Sequence, residues 1–162
     1  TVHLAQLDQG QVLYVDKRNA ARPVEMFSQA GKVGPAYCTG VGKAMLAFLP
    51  EEALARALER QSFHRFTPQT LDSPRALLAD LAAIRARGFA LDREEHEPGI
   101  ICVALPILTG AAGAGRVIGA ISVTSTTART TLAALAALAP RIGEAATGIA
   151  AEAASWRFPE RG

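Results

Sequence analysis

Cysteine is scarce in this sequence. Cys38 and Cys102 are the only two, too few for a disulfide framework, so a reduced, cytoplasmic setting is expected. No excess of one charge exists either. The formal net charge is +2, too small to predict a nucleic-acid surface. The longest apolar runs, such as Ile100 to Leu108, contain proline or are too short, so no membrane span is expected. Thr1, Val2 and His3 open the chain without a basic segment, which argues against a signal peptide. An initiator methionine is missing too, and the chain is read as a piece of a longer protein. No segment repeats. What is present is a globular composition, 49% hydrophobic and 20% charged, over 162 residues. That length suits one domain with a real core, here taken as 1–162.

Residues 2–8 and 11–18 read as a β-hairpin turned at Gln9–Gly10, and 23–29 as a third, short strand. Residues 31–37 are glycine-rich and read as a loop. From Thr39 the period becomes helical, with Val41, Ala44, Met45 and Phe48 on one face until Pro50. A short helix follows over 51–59, with Glu51 and Glu52 where the helix dipole favours them. Residues 62–72 look irregular. The segment 73–88 is bounded most clearly, with Ser73 as N-cap, Pro74 at the first position, Arg85 and Arg87 in the last turn and Gly88 as stop. Residues 89–92 and 100–108 read as strands, the second buried on both faces. A turn over 109–115 returns the chain into a partner strand over 116–126. Leu132, Leu135, Leu138, Ile142 and Ile149 mark a last helix, expected to bend at Pro140. This order predicts an α+β fold with an antiparallel sheet.

The stretch Gly40-Val41-Gly42-Lys43 invites comparison with a phosphate loop. Such a loop needs a hydroxyl after the lysine and a glycine five residues before the second one. Here those places hold Ala44 and Tyr37, so the motif fails, and no third glycine completes a dinucleotide fingerprint. Two readings stay open. The free N–H groups of a helix start can hold a small anion, or the glycines simply allow the helix to pack tightly on the sheet.

Residues 33–52, 66–107 and 115–129 together resemble the effector-binding domain of IclR-family bacterial transcriptional regulators, and 3–18 resembles that domain's usual beginning. The stretch "DREEHEPGIICVA" (92–104) is the most specific piece. The resemblance implies a GAF-like fold, a curved antiparallel sheet flanked by helices. It implies a cavity for a small organic or aromatic acid, and a DNA-binding winged helix-turn-helix in a separate N-terminal domain outside this chain. A homodimer or tetramer on paired operator sites is implied as well, with no enzymatic activity and no cofactor. Residue by residue, the resemblance implies that Gly40 and Val41 offer backbone N–H groups to an acid. It makes Asp92 a polar contact, Ile100 and Cys102 inward strand positions, Ser122 and Thr124 hydroxyl contacts, and Met26 an apolar wall. Many relatives carry Leu-Pro where this chain has Gly34-Pro35, a departure expected to enlarge the cavity.

Strand geometry agrees independently, since Ile100, Cys102 and Ala104 share one face, as do Ser122 and Thr124. Two hydroxyls on an apolar strand either line a polar cavity, face solvent or bond nearby backbone. Cys38, Cys102 and His96, with Asp92 or Glu95, suggest a metal site or a reactive thiol, but no ligand spacing supports the first and free cysteines are usually buried hydrophobes. Of the carboxylates in 92–97, Asp92 ends an apolar strand and is the one expected to point inward; the others are expected to be solvated. Trp156 and Phe158 are read as exposed, packed back or touching a partner. The function expected is that of an acid-sensing domain; a cysteine-based redox sensor or enzyme, and a ligand-free oligomerisation module, are the alternatives.

Overall fold

The structure, a computed structural model, describes residues 1–110 and 115–155. Its first strands, β1 (Val2–Asp8) and β2 (Gln11–Arg18), form the expected hairpin. Gln9 and Gly10 both have positive φ, 50° and 83°, which the tight turn between twisted strands requires. A Cβ at Gly10 would come within 3.1 Å of Ala57 Cα, so the turn also packs against a helix.

Residues 23–29 form no strand; the third strand is the two-residue β3 (Val33–Gly34), paired with β2. Glu25 and Phe27 are exposed, and the segment instead crosses the sheet as an irregular strap. Helices α1 (Gly40–Leu46), α2 (Glu51–Glu59) and α3 (Pro74–Arg87) follow. Ser73 caps α3 by accepting from the Ala76 N–H, and Gly88 ends it at φ 85°, as read from the sequence. Leu77, Leu81 and Ile84 are the buried face of α3. Complete burial of such side chains stabilises by ~1.5–3 kcal/mol each.

Three antiparallel strands complete the sheet: β4 (Ala90–Arg93), β5 (Ile100–Thr109) and β6 (Arg116–Thr126). The strand order is β3-β2-β1-β6-β5-β4, with β1 and β6 joining the two ends of the chain in the middle. One face of β5 packs Ile101 and Val103 against Leu135 and Ile142; the other brings Ala104 into the core shared with α1 and α3. The result is a curled antiparallel sheet between helices, α+β as expected. The last helix is not one bent rod. It is two, α4 (Leu132–Ala136) and α5 (Ala139–Ser155). Pro140 sits in the first turn of α5, where its missing N–H costs nothing, so the break precedes the proline. Among the described residues, no helix is long and apolar enough to cross a membrane. Trp156, Phe158 and the tip of the 109–115 turn lie outside the described residues.

Candidate functional site

The inner face of the sheet, the first turn of α1 and the strap over 23–29 border a small cavity of ≈ 30 Å³. Its wall is built by cross-strand register. Asp92 on β4 faces Cys102 on β5, which faces Thr124 on β6. In the next row Ala104 faces Ser122, which faces His3 on β1. The period of two places both rows on one side of the sheet. Ile100 lies at one end, Gly40 and Val41 close another side, and Met26 and Ser28 come from the strap. All eight residues singled out in the sequence, from Met26 to Thr124, therefore line one cavity.

Ser122 and Thr124 are buried and face neither solvent nor backbone alone. Ser122 Oγ and Thr124 Oγ1 lie 3.4 Å and 3.3 Å from His3 Nδ1. On the other side of the ring, His3 Nε2 lies 2.8 Å from Ser28 Oγ. His3 is itself buried, and Tyr14 meets its ring edge-on with centroids 5.6 Å apart. Burial first, and then the positive charge of Lys17, push the imidazole down from 6.5 to about 4, so it is neutral at pH 7.

Asp92 points inward. Burial, and then the neighbouring Glu95, push its carboxyl up to about 7, although its Oδ1 accepts the Glu95 N–H at 2.9 Å. Glu95 departs from the expectation of a solvated loop. It is only 2% exposed, and its Oε1 accepts from Lys43 Nζ at 2.6 Å. Lys43 is fully buried and also donates to Asp80 Oδ2 on α3 at 2.8 Å. The lysine that suggests a phosphate loop in sequence is thus a structural cation. It ties α1 to α3 and to the loop after Asp92.

The glycines of α1 have a packing reason. A Cβ on Gly40 would overlap Cys102 Sγ, and one on Gly42 would overlap the Ala36 backbone. Thr39 is the N-cap residue, but its hydroxyl donates to Pro35 O and does not cap the helix. The close approach that Gly40 permits bears out the packing reading, and it also brings the helix start to the cavity. Gly34 does not enlarge the cavity: Phe27 Cε1 lies 3.2 Å from where its Cβ would be, so the ring already fills that space.

Cys38 and Cys102 are free and buried, and burial is the main cause that pushes both thiols up. A reactive thiol needs the opposite shift. Among the described residues, no three His, Cys, Asp or Glu are grouped to hold a metal. Tyr37 is a core residue whose hydroxyl donates to His64 O at 2.6 Å.

His3, Tyr14, Ser28 and Thr39 also line the cavity, as do His96 and Glu97, and none of these was marked as a cavity residue from sequence. His3 had a sign: it shares the inward face with Ala5, where a polar residue is out of place. Ser28 had none, because an irregular strap carries no period to read.

Residues 1–151 match the family described as bacterial transcriptional regulator IclR, C-terminal. The HTH-type transcriptional regulator XynR of Escherichia coli (strain K12) is 38% identical over 124 residues, 76% of this chain and 48% of its own. The chain spans about half the length of the curated relatives it matches. The crystal structure of the Thermotoga maritima IclR superposes with TM-score 0.85 at 32% identity, over 93% of this chain and 60% of that one. The inducer-binding domain of PobR from Acinetobacter, a double mutant in complex with 3-hydroxybenzoic acid, gives TM-score 0.78 at 27% identity, over 92% and 86%.

Proposed function

The chain belongs to the IclR family of bacterial transcriptional regulators as its C-terminal, effector-binding domain, and from that we propose that it senses a small organic acid in the sheet-lined cavity. The family is one of regulators, not of enzymes. The observation that carries the reading is the group of buried polar side chains on one inner face: His3, Ser28, Asp92, Ser122 and Thr124. In the free chain these groups pair with one another and with the Glu95 N–H, which makes this a satisfied polar face where a plain core would hold apolar residues, and a ligand's polar groups can exchange for those partners.

In this reading the first N–H groups of α1, at Gly40 and Val41, take the acid group. Asp92, Ser122 and Thr124 take a second polar group, and Met26, Ile100 and Cys102 supply the apolar wall. The PobR complex with an acid that also bears a hydroxyl supports this class of ligand. At ≈ 30 Å³ the cavity has room for about two water molecules, so an effector must widen it. Binding then favours one arrangement of the domain over another. A coupling of ~1–3 kcal/mol is typical of such sensors. It would act on a separate N-terminal DNA-binding domain through a homodimer or tetramer. The two buried free thiols suit a reducing cytoplasm.

A thermal-shift screen against small carboxylic and aromatic acids tests this. At a hundred times its Kd, a ligand of the folded state adds ~2.7 kcal/mol, a rise of roughly 5–10 °C for a chain of this size. The rise is expected to saturate and to shrink in Asp92→Ala and Ser122→Ala. No shift with any acid, or one indifferent to both substitutions, would sink the proposal.

A further inference from the structure

Lys43 lies on the first turn of α1, fully buried, with acceptors on two other elements. Its Nζ donates to Glu95 Oε1 at 2.6 Å and to Asp80 Oδ2 at 2.8 Å. Glu95 in turn donates its backbone N–H to Asp92 Oδ1 at 2.9 Å. Asp92 borders the cavity, whereas no residue of α3 does. A chain of polar contacts, Asp92–Glu95–Lys43–Asp80, therefore runs from the cavity wall to a helix that stands away from it. Elsewhere α3 meets α1 through Leu77, Leu81 and Ile84 in the shared core, and through Arg85, which donates to Ala47 O. Apolar packing has no direction, but charge-assisted hydrogen bonds are short and directional.

The far end of this chain is not closed. Glu95 Oε2 and Arg87 Nη2 are buried without a hydrogen-bond partner. Asp80 Oδ1 stands 3.8 Å from that same Arg87 Nη2 and 3.7 Å from Arg93 Nη1. Closing the first gap by about 1 Å makes a hydrogen bond. Asp80 thus has one cation in hand and a second within a small movement. We propose that Lys43 is a positioning residue of the sensor: through Glu95 it ties the Asp92 carboxyl to Asp80, so that a change at the cavity wall moves α3. Asp80 divides between Lys43 and Arg87 according to where Glu95 stands. Coupling needs an element with two arrangements that both ends can bias, and the Asp80 cluster supplies one. The change arrives at a surface, since α3 carries the exposed Leu78. The regulatory meaning rests on the sensing reading above and goes further, by naming the route out of the cavity.

Nuclear magnetic resonance of the free chain tests this without an effector. Lys17, Lys32 and Lys43 are the only lysines, and Lys43 alone is fully buried, so slow solvent exchange identifies its ¹⁵Nζ resonance. Spectra are taken at about pH 6, where burial keeps Asp92 largely protonated and asparagine copies its charge. Asp92→Ala removes the acceptor of the Glu95 N–H and should move both the Lys43 ¹⁵Nζ resonance and the α3 amides beside Asp80. Asp92→Asn keeps an oxygen there and should leave both near their original places. Ser122→Ala alters the same cavity wall with no link to Glu95, and its changes should stop short of α3. In reverse, Asp80→Ala should move the Asp92 and Glu95 amides, and Leu78→Ala on the same helix should not. If Asp92→Ala fails to fold, the reverse pair decides alone. Still α3 amides in Asp92→Ala, or an equal response to Ser122→Ala, would overturn the proposal. So would α3 amides that move while the Lys43 resonance stays, because the route would then bypass Lys43. Any of these failures leaves acid sensing standing, and failure of the acid screen leaves the measured route standing.

Discussion

Replacing Gly40 with alanine tests the central contact of this fold. The added Cβ would overlap Cys102 Sγ and come within 3.4 Å of Ala104 Cβ and 3.7 Å of Asp92 Cβ. The last two are ordinary contacts. The first forces the sulfur to another rotamer or moves α1 off the sheet. Cys102 is buried on a central strand between β4 and β6, so little room exists for either. Overpacking of this kind costs ~1–3 kcal/mol. Alanine's better helix propensity returns ~0.5–1 kcal/mol. The net loss is therefore up to ~2.5 kcal/mol, or a fall in Tm of up to roughly 10 °C for a chain of this size. Cys102→Ala alone removes one buried sulfur and costs ~1 kcal/mol. In the double variant the new methyl takes the place of the lost sulfur, so the two losses should not add. Differential scanning calorimetry of the four chains measures the coupling, expected at ~1 kcal/mol or more and favourable. A double variant at the sum of the singles would refute the contact.

Three further outcomes follow from the buried charges and thiols. Lys43→Met leaves Glu95 and Asp80 without their buried cation and should destabilise by ~3–5 kcal/mol in urea unfolding; a loss under 1 kcal/mol would mean the pair is solvated. Adding Glu95→Gln to it should recover part of that loss. Asp92 has a folded pKa raised from 3.8 to about 7, so the folded state holds the extra proton between those values and its contribution makes stability fall as pH rises from about 4 to 7. His3, lowered from 6.5 to about 4, acts oppositely: the unfolded state holds the proton, and stability rises over that window. Asp92→Asn should therefore make the plot of Tm against pH steeper upward between 4 and 6.5, while His3→Asn should flatten it; unchanged slopes would show that neither group is perturbed. Both thiols should resist iodoacetamide at pH 8 in the folded chain and react only on unfolding, and rapid alkylation of either would revive the redox reading.

The sequence by itself determined the elements whose rules are local. Ser73, Pro74 and Gly88 bound α3 because caps and stops act within a turn of the chain. The 2–18 hairpin and the twofold-buried β5 follow from turn chemistry and hydrophobic period. The same local rules misplaced the strap, where an apolar run without partners on the sheet edge forms no strand, and Pro140, whose place in a first turn depends on where the helix begins. The family resemblance marked Asp92, Ser122 and Thr124, and strand period put the two hydroxyls on one face. What the tertiary structure alone decided is which distant residues meet there. His3 reaches Ser122 only because β1 lies beside β6, and Lys43 finds Glu95 only because α1 packs over the end of β4. Neither pairing leaves a periodic trace in the chain. Each is set by the order of strands and the closeness of a helix that Gly40 permits, and those are properties of the packed whole.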